Sequence, residues 1–253
     1  IGKNNIIISE TNGNFLMAFL NLSFVAILAR VKNSKVIFLG NQNKYAESSY
    51  RLLRKGVVKS EIVEFNKITK KNQISIIKES EKIFEKINSF DDLLNLKYRD
   101  IQIGDLLYDM SMRRQKLMAS LWKIDQNILN EIIIAITSFY AIDELKKKYN
   151  IKAVVTSDII GTEYGVILRY LNSENVESYV GTGGSFVLKK YRSYDNKRYD
   201  PTYKLPKNLT EILINNKKNN LLQKSEEYLK KRIAGNVNNL DAKDAFNHDL
   251  LNF

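Results

Sequence analysis

The sequence predicts an α/β fold: a parallel sheet with helices on both faces, followed by a basic helix near the C-terminal end. Three observations predict it. Short apolar runs bounded by polar residues recur along the chain, and each reads as a buried strand. Between them lie longer stretches with apolar residues at helical spacing, so strand and helix alternate as in βαβ units. With 253 residues, 44% of them hydrophobic, the chain can bury a substantial core.

Asn4–Ser9 (NNIIIS) is the first predicted strand, and Glu10–Asn14 (ETNGN) the tight turn after it. Phe15–Arg30 (FLMAFLNLSFVAILAR) is hydrophobic nearly all round, which raises a membrane span or signal peptide. Its apolar core of about fifteen residues would reach only about 22 Å as a helix, short of a bilayer. A strand precedes it and another follows, so it is expected to be a helix buried against a sheet. Lys35–Leu39 and Glu61–Phe65 are the next strands, with an amphipathic helix over Tyr45–Arg54 between them. The turn SETNGN lacks the GxGxxG fingerprint, which disfavours a nicotinamide-binding enzyme.

Helical spacing continues over Asn72–Asn88, Phe90–Leu96 and Asp125–Tyr149. Between the last two, Tyr98–Arg114 (YRDIQIGDLLYDMSMRR) crowds charged and aromatic groups around Gly104. On a helix starting near Asp105, the residues Asp105, Asp109 and Arg113 line one polar edge, while Leu106, Met110, Leu117 and Leu121 form an adjoining apolar face. That edge reads either as a surface ion-pair ladder or as the wall of a cleft. Lys152–Thr156 resumes the sheet, and Ser157-Asp158 stand where a parallel strand would end, the edge at which open α/β sheets bind ligands. A helix over Gly161–Leu171 carries Glu163 in its first turn. After a strand at Val176–Val180 comes the glycine-rich turn Gly181–Ser185, which is no Walker loop but offers the N–H groups of Gly183 and Gly184 to a phosphate. The expected organisation is a Rossmann-like domain over 1–190 with a helical insertion at about 66–150. A loop, an amphipathic helix over Leu209–Ile233 closed by Gly235, and a linker follow over 191–253.

Composition narrows the chemistry. Without cysteine there is no disulfide, thiolate metal site or cysteine nucleophile, and a cytoplasmic location fits. The single histidine, His248, lies in a polar tail, so a Ser-His-Asp triad or a histidine metal site is disfavoured, and no metal or cofactor is expected. Proton transfer falls to Asp, Glu, Lys or Tyr. The net charge of +12 favours anionic partners, including an anionic membrane surface. Its lysines are scattered over predicted helix surfaces, and the chain is rich in Asn and Ile, so the charge reads as background and no nucleic acid is expected.

Two segments together resemble a known family. Tyr98–Arg114, with its core IGDLLYD followed by arginine, and Ala153–Arg169 (AVVTSDIIGTEYGVILR) resemble bacterial capsular and surface-polysaccharide biosynthesis proteins, which look like two-domain GT-B glycosyltransferases. The resemblance spans roughly Tyr98 to Val180, and it implies the acceptor-side half of such an enzyme, with the nucleotide-sugar half beyond Phe253. It implies a nucleotide-sugar donor, a glycan acceptor and a location in the cytoplasm or at the inner face of the membrane. Asp109, Asp158 and Glu163 become the candidate bases. Glu10, Asn12, Gly13, Asn14, Asp105, Tyr108, Arg113, Tyr164, Arg169, Gly183 and Gly184 become candidate substrate contacts. In that family the position of Asp158 is often histidine, so the choice among the carboxylates stays open. A non-catalytic module binding an anionic sugar or nucleotide is the alternative, and a nucleic-acid-binding protein the third reading.

Overall fold

The computed structural model describes residues 3–10, 15–40, 59–114, 123–182 and 187–191, with single helical positions at Glu227 and Lys230; at 15–20, 182 and 187 it describes the backbone. The predicted helices over Tyr45–Arg54 and Leu209–Ile233, Thr11–Asn14 of the predicted turn, Leu117 and Leu121 of the predicted apolar face, and Gly183, Gly184 and Gly235 lie outside the described residues, apart from those two positions. Contacts divide the chain into Ile1–Thr202 and Tyr203–Phe253, and the architecture below belongs to the first.

A six-stranded sheet forms from β1 (Asn4–Glu10), β2 (Lys35–Gly40), β3 (Ser60–Glu64), β6 (Tyr149–Thr156), β7 (Glu177–Thr182) and β8 (Val187–Lys190), in the order β3-β2-β1-β6-β7-β8. The first five strands are parallel. The edge strand β8 runs antiparallel to β7, which the glycine-rich turn did not foretell. A two-residue hairpin of β4 (Lys97–Tyr98) and β5 (Ile101–Gln102) stands apart from the sheet. The sheet and its crossovers are Rossmann-like, as the alternation of elements predicts.

The helices are α1 (Phe15–Val31), α2 (Phe65–Ile68), α3 (Gln73–Phe84), α4 (Phe90–Leu94), α5 (Gly104–Arg114), α6 (Gln126–Lys148) and α7 (Thr162–Ser173). Helix α1 covers one face, where Leu22, Val25 and Ala29 pack on Ile7, Val36, Phe38, Ala153 and Val155. The other described helices cover the opposite face, on Ile6, Ile8, Ile37, Leu39, Ile151 and Val154. Alternate residues of β1 and β2 thus serve opposite cores, the period-2 rule of strands. The register of β1 against β6 shifts between Ile6 and Ile7, where Ile6 faces Ile151 and Ile7 faces Ala153. Exposed Lys152 is the extra residue of this bulge, and it lets Ile151 serve one core and Ala153 the other.

The insertion between β3 and β6 is held by its own logic. Helix α4 begins with a capping box, Ser89 accepting from the Asp92 N–H at 3.1 Å and Asp92 accepting from the Ser89 N–H at 2.9 Å. Helix α6 buries Ile128, Ile132, Ala135, Ile136, Phe139 and Ile142 and passes into β6 at Tyr149 without a loop. Each Ile or Phe taken out of water there contributes about 1.5–3 kcal/mol. Among the described residues no helix is long and apolar enough to cross a membrane.

Candidate functional site

Because β1, β2, β3, β6 and β7 are parallel, their carboxyl ends Glu10, Gly40, Glu64, Thr156 and Thr182 share one edge. The chain leaves β1 toward β2 on one side, while β6 and β7 extend the sheet on the other. The switch point therefore lies between the ends of β1 and β6, where a crevice opens in folds of this kind.

Glu10 closes that point. It is 1% exposed, yet its carboxylate accepts five hydrogen bonds from described residues. Asn21 Nδ2 of α1 donates at 2.6 Å, the Ser157 N–H at 2.9 Å and the Asp158 N–H at 3.2 Å. The hydroxyls of Thr156 and Ser157 supply the other two. A buried carboxylate so surrounded is compensated, and it binds α1, β1 and the end of β6 into one unit. Glu10, predicted to line the cleft, is thus a strut of the cleft floor.

Asp158 shapes the next turn. Its Oδ1 accepts from the Ile160 N–H at 3.2 Å and the Gly161 N–H at 2.7 Å, a local carboxylate turn that leads the backbone into α7. A Cβ on Gly161 would lie 2.2 Å from Asp158 Oδ2, so a larger residue here would displace the carboxylate that forms the turn. Tyr164, in the first turn of α7, donates its hydroxyl to the Leu39 carbonyl at 2.9 Å and packs against Phe65, walling the site on the β2 side.

Glu163 sits between these features, half-buried in the first turn of α7. Burial pushes its pKa above the ordinary glutamate value, the charges of Glu131 and Asp158 push it further, and Arg114 opposes them. Glu131, on α6, is 0% exposed and accepts hydrogen bonds from Arg114 Nε and the Thr162 hydroxyl. Sequence reasoning passed over Glu131 and Arg114. The signal for Glu131 was there, one acid inside an isoleucine-rich helical stripe (Ile128, Ile132, Ala135).

The edge predicted on α5 is reorganised. Asp105 does not face a cleft with Asp109 and Arg113. It binds Arg169 of α7 in a bidentate pair, both contacts 2.7 Å, and the same guanidinium donates to the Gln102 carbonyl at 2.7 Å. Arg169 is 6% exposed, so the pair belongs to the interior and neither partner is presented to a ligand. Asp109 is buried on the inner side of α5, whereas Arg113 is exposed, so the two do not share a surface. Tyr108 packs edge-on against Phe90. The carboxylate of the first turn faces α7 because α7 and β5 crowd that end of α5, which spacing along one helix does not reveal.

The structure therefore brings Glu10, Asp158, Glu163 and Tyr164 to the carboxyl edge and assigns Asp105 and Arg169 to the fold. Open cavities of about 580 and 390 Å³ lie at the opposite, amino edge, lined by Lys3, Asn150, Lys146 and Lys147. The lysines there are engaged in fold contacts: Lys146 with Glu174, Lys147 with Glu144, and Lys3 with the Lys146 carbonyl. The carboxyl edge, with its perturbed carboxylate, is the better candidate. Among the described residues no group of three Asp, Glu, His or Cys side chains is placed to hold a metal ion. No family model matches this chain, and comparison with curated proteins and with solved structures yields no match either.

Proposed function

We propose that this chain is the acceptor-side, Rossmann-like half of a glycosyltransferase of surface or capsular polysaccharide synthesis, with Glu163 as the base. The observation that carries the proposal is Glu163 itself: a carboxylate with raised proton affinity at the sheet's switch point. Transfer from a nucleotide sugar requires a group that takes the proton of the acceptor hydroxyl as that oxygen attacks the anomeric carbon and the nucleoside diphosphate departs. A base works best when its pKa approaches the working pH, and burial among like charges moves Glu163 in that direction. Asp158 is the weaker candidate, because its carboxylate is occupied in forming the turn into α7. The substrates of this reading are a cytoplasmic nucleotide sugar and a glycan acceptor, and the net charge of +12 suits peripheral contact with an anionic membrane.

The test is sugar transfer by the full-length protein across a panel of nucleotide sugars and glycan acceptors. Glu163→Gln is expected to lower kcat by about 10²–10⁴ with the glycan still bound. Transfer at the normal rate by that variant would remove Glu163 from the reaction. Glycan binding without turnover in the wild type would favour the non-catalytic module. Steeply salt-dependent binding to DNA or RNA would favour the nucleic-acid reading instead.

A further inference from the structure

Helix α1 is apolar nearly all round, but the sheet covers one side of it. Leu22, Val25 and Ala29 form the stripe that packs on the strands. A second stripe, Phe24, Ile27, Leu28 and Val31, recurs at the i, i+3, i+4, i+7 spacing of another face. Within it Ile27 and Val31 are 61% and 77% exposed, unlike the burial that an all-round apolar helix normally finds. Val31 closes α1, and three residues separate it from Lys35, which opens β2, so the exposed stripe runs out at the amino edge of the sheet. That edge carries surplus positive charge. The acids described there are matched: Glu61 pairs with Lys35, Glu144 with Lys147, Glu174 with Lys146 and Glu177 with Lys32. Lys3, Arg30, Lys59 and Lys148 are exposed, and among the described residues no acid pairs with them. Lys59, Lys3 and Lys148 stand just ahead of β3, β1 and β6, and Lys35 heads β2 between them. With neighbouring strands about 4.8 Å apart, this row of lysines spans about 14 Å of the edge.

We propose that this corner, the exposed stripe of α1 together with the cations of the amino edge, is a docking surface for an anionic lipid bilayer. Ile27 and Val31 enter the boundary between headgroups and acyl chains, while Arg30, Lys59, Lys3 and Lys148 meet lipid phosphates. Charge selects the occupant. A second copy of the chain, or its basic stretch Leu209–Ile233, would set cation against cation. An anionic bilayer supplies the opposite sign with an apolar layer beneath it. The parallel strands are 5 to 8 residues long, so the crevice at their carboxyl ends lies about 17–26 Å away and opens away from the lipid. The inference rests on the glycosyltransferase reading for its purpose, an enzyme held at the membrane, but vesicle binding is measured without sugar transfer.

The experiment is co-sedimentation of the full-length protein with vesicles of equal parts phosphatidylglycerol and phosphatidylcholine, or of phosphatidylcholine alone. Wild type is expected in the pellet with the first and in the supernatant with the second. The variant Arg30→Gln/Lys59→Gln/Lys148→Gln is expected to bind at least about 30-fold more weakly, from about fivefold per charge. Ile27→Ser/Val31→Ser should bind about tenfold more weakly. All five positions are exposed, so both variants keep the fold. The control Lys78→Gln/Lys82→Gln/Lys86→Gln removes the same charge from exposed positions on and just after α3, which packs on the opposite face, and should stay within about threefold of wild type. An equal loss in that control would reduce the effect to net charge and overturn the proposal. Undiminished binding by Ile27→Ser/Val31→Ser, equal binding to both vesicles, or binding to neither would also overturn it. A wild-type dimer that Ile27→Ser/Val31→Ser turns into monomer would assign the stripe to a second copy, and RNA bound through the same cations in preference to vesicles would assign the edge to nucleic acid. A protein that binds vesicles in this way yet transfers no sugar would sink the glycosyltransferase reading and leave the docking surface standing. Active enzyme that ignores vesicles would do the reverse.

Discussion

Glu163 and Glu10 show how differently two carboxylates can be housed at one edge of a sheet. Glu10 is buried but met by five donors of the described residues, so the fold has matched it. Glu163 is half-buried among like charges, and its raised pKa means the folded chain holds its proton to higher pH than the unfolded chain does. The sign follows directly. Well below the ordinary glutamate value both states are protonated and the residue is neutral to stability. As pH climbs from that value toward the raised folded one, the unfolded chain ionises first and the folded state loses stability. Above the folded value the penalty stays constant. Glu163→Gln is therefore expected to leave the urea midpoint unchanged near about pH 4 or below and to raise it near about pH 8. A midpoint that is equal or lower at the higher pH would mean that Glu163 is not strained by its neighbours. Greater stability with lost activity is the pattern expected of a residue kept for chemistry.

At the scale of elements, the junction of α5, β5 and α7 holds the insertion to the sheet. Gly104 opens α5 where a Cβ would lie 1.8 Å from the Leu93 carbonyl oxygen, so no larger residue fits without moving backbone. One residue on, Asp105 reaches across to Arg169, with side-chain exposures of 12% and 6%. Burial works against the Arg169 charge, and the hydrogen bonds and charge of Asp105 outweigh it, so the guanidinium is held above its ordinary pKa. Asp105→Ala strands that charge in the interior and is expected to cost about 3–5 kcal/mol in urea unfolding. Arg113→Ala, on the exposed side of the same helix, should stay within about 0.5 kcal/mol. Equal effects from the two would restore the surface ladder that four-residue spacing suggests. The hairpin beside this junction turns through Arg99 and Asp100, both in the left-handed region at φ 49° and 62°. Its two-residue turn has no Asn-Gly signature and is invisible in the sequence. It is held instead by tertiary contacts, with Arg99 paired to Asp143 at 2.6 Å and lying within 6 Å of the Tyr98, Phe139, Tyr140 and Tyr170 rings.

Across the whole molecule, what was legible followed from local pattern, and what was not depended on elements distant in sequence. The strands at Asn4, Lys35, Glu61 and Lys152 could be read because each is a short apolar run with polar ends, and the parallel order followed from the helices between them. The place of the turn after β6, at the carboxyl edge of the sheet, was legible for the same reason. The pairings Glu10–Ser157, Glu131–Arg114 and Asp105–Arg169 join residues 147, 17 and 64 positions apart, and no periodicity encodes them. This topology also sets two edges in competition as the ligand site: the amino edge has open cavities, and the carboxyl edge has the switch point and Glu163. Hydrogen–deuterium exchange of the full-length protein with and without a saturating glycan acceptor decides between them. Protection is expected in the segment Ser157–Tyr164, because a ligand in the crevice covers the turn held by Asp158 and the first turn of α7. The segment Lys146–Ile151 should exchange unchanged, since its lysines are committed to Glu174 and Glu144. Protection confined to Lys146–Ile151 would move the site to the amino edge and take Glu163 out of contact with substrate.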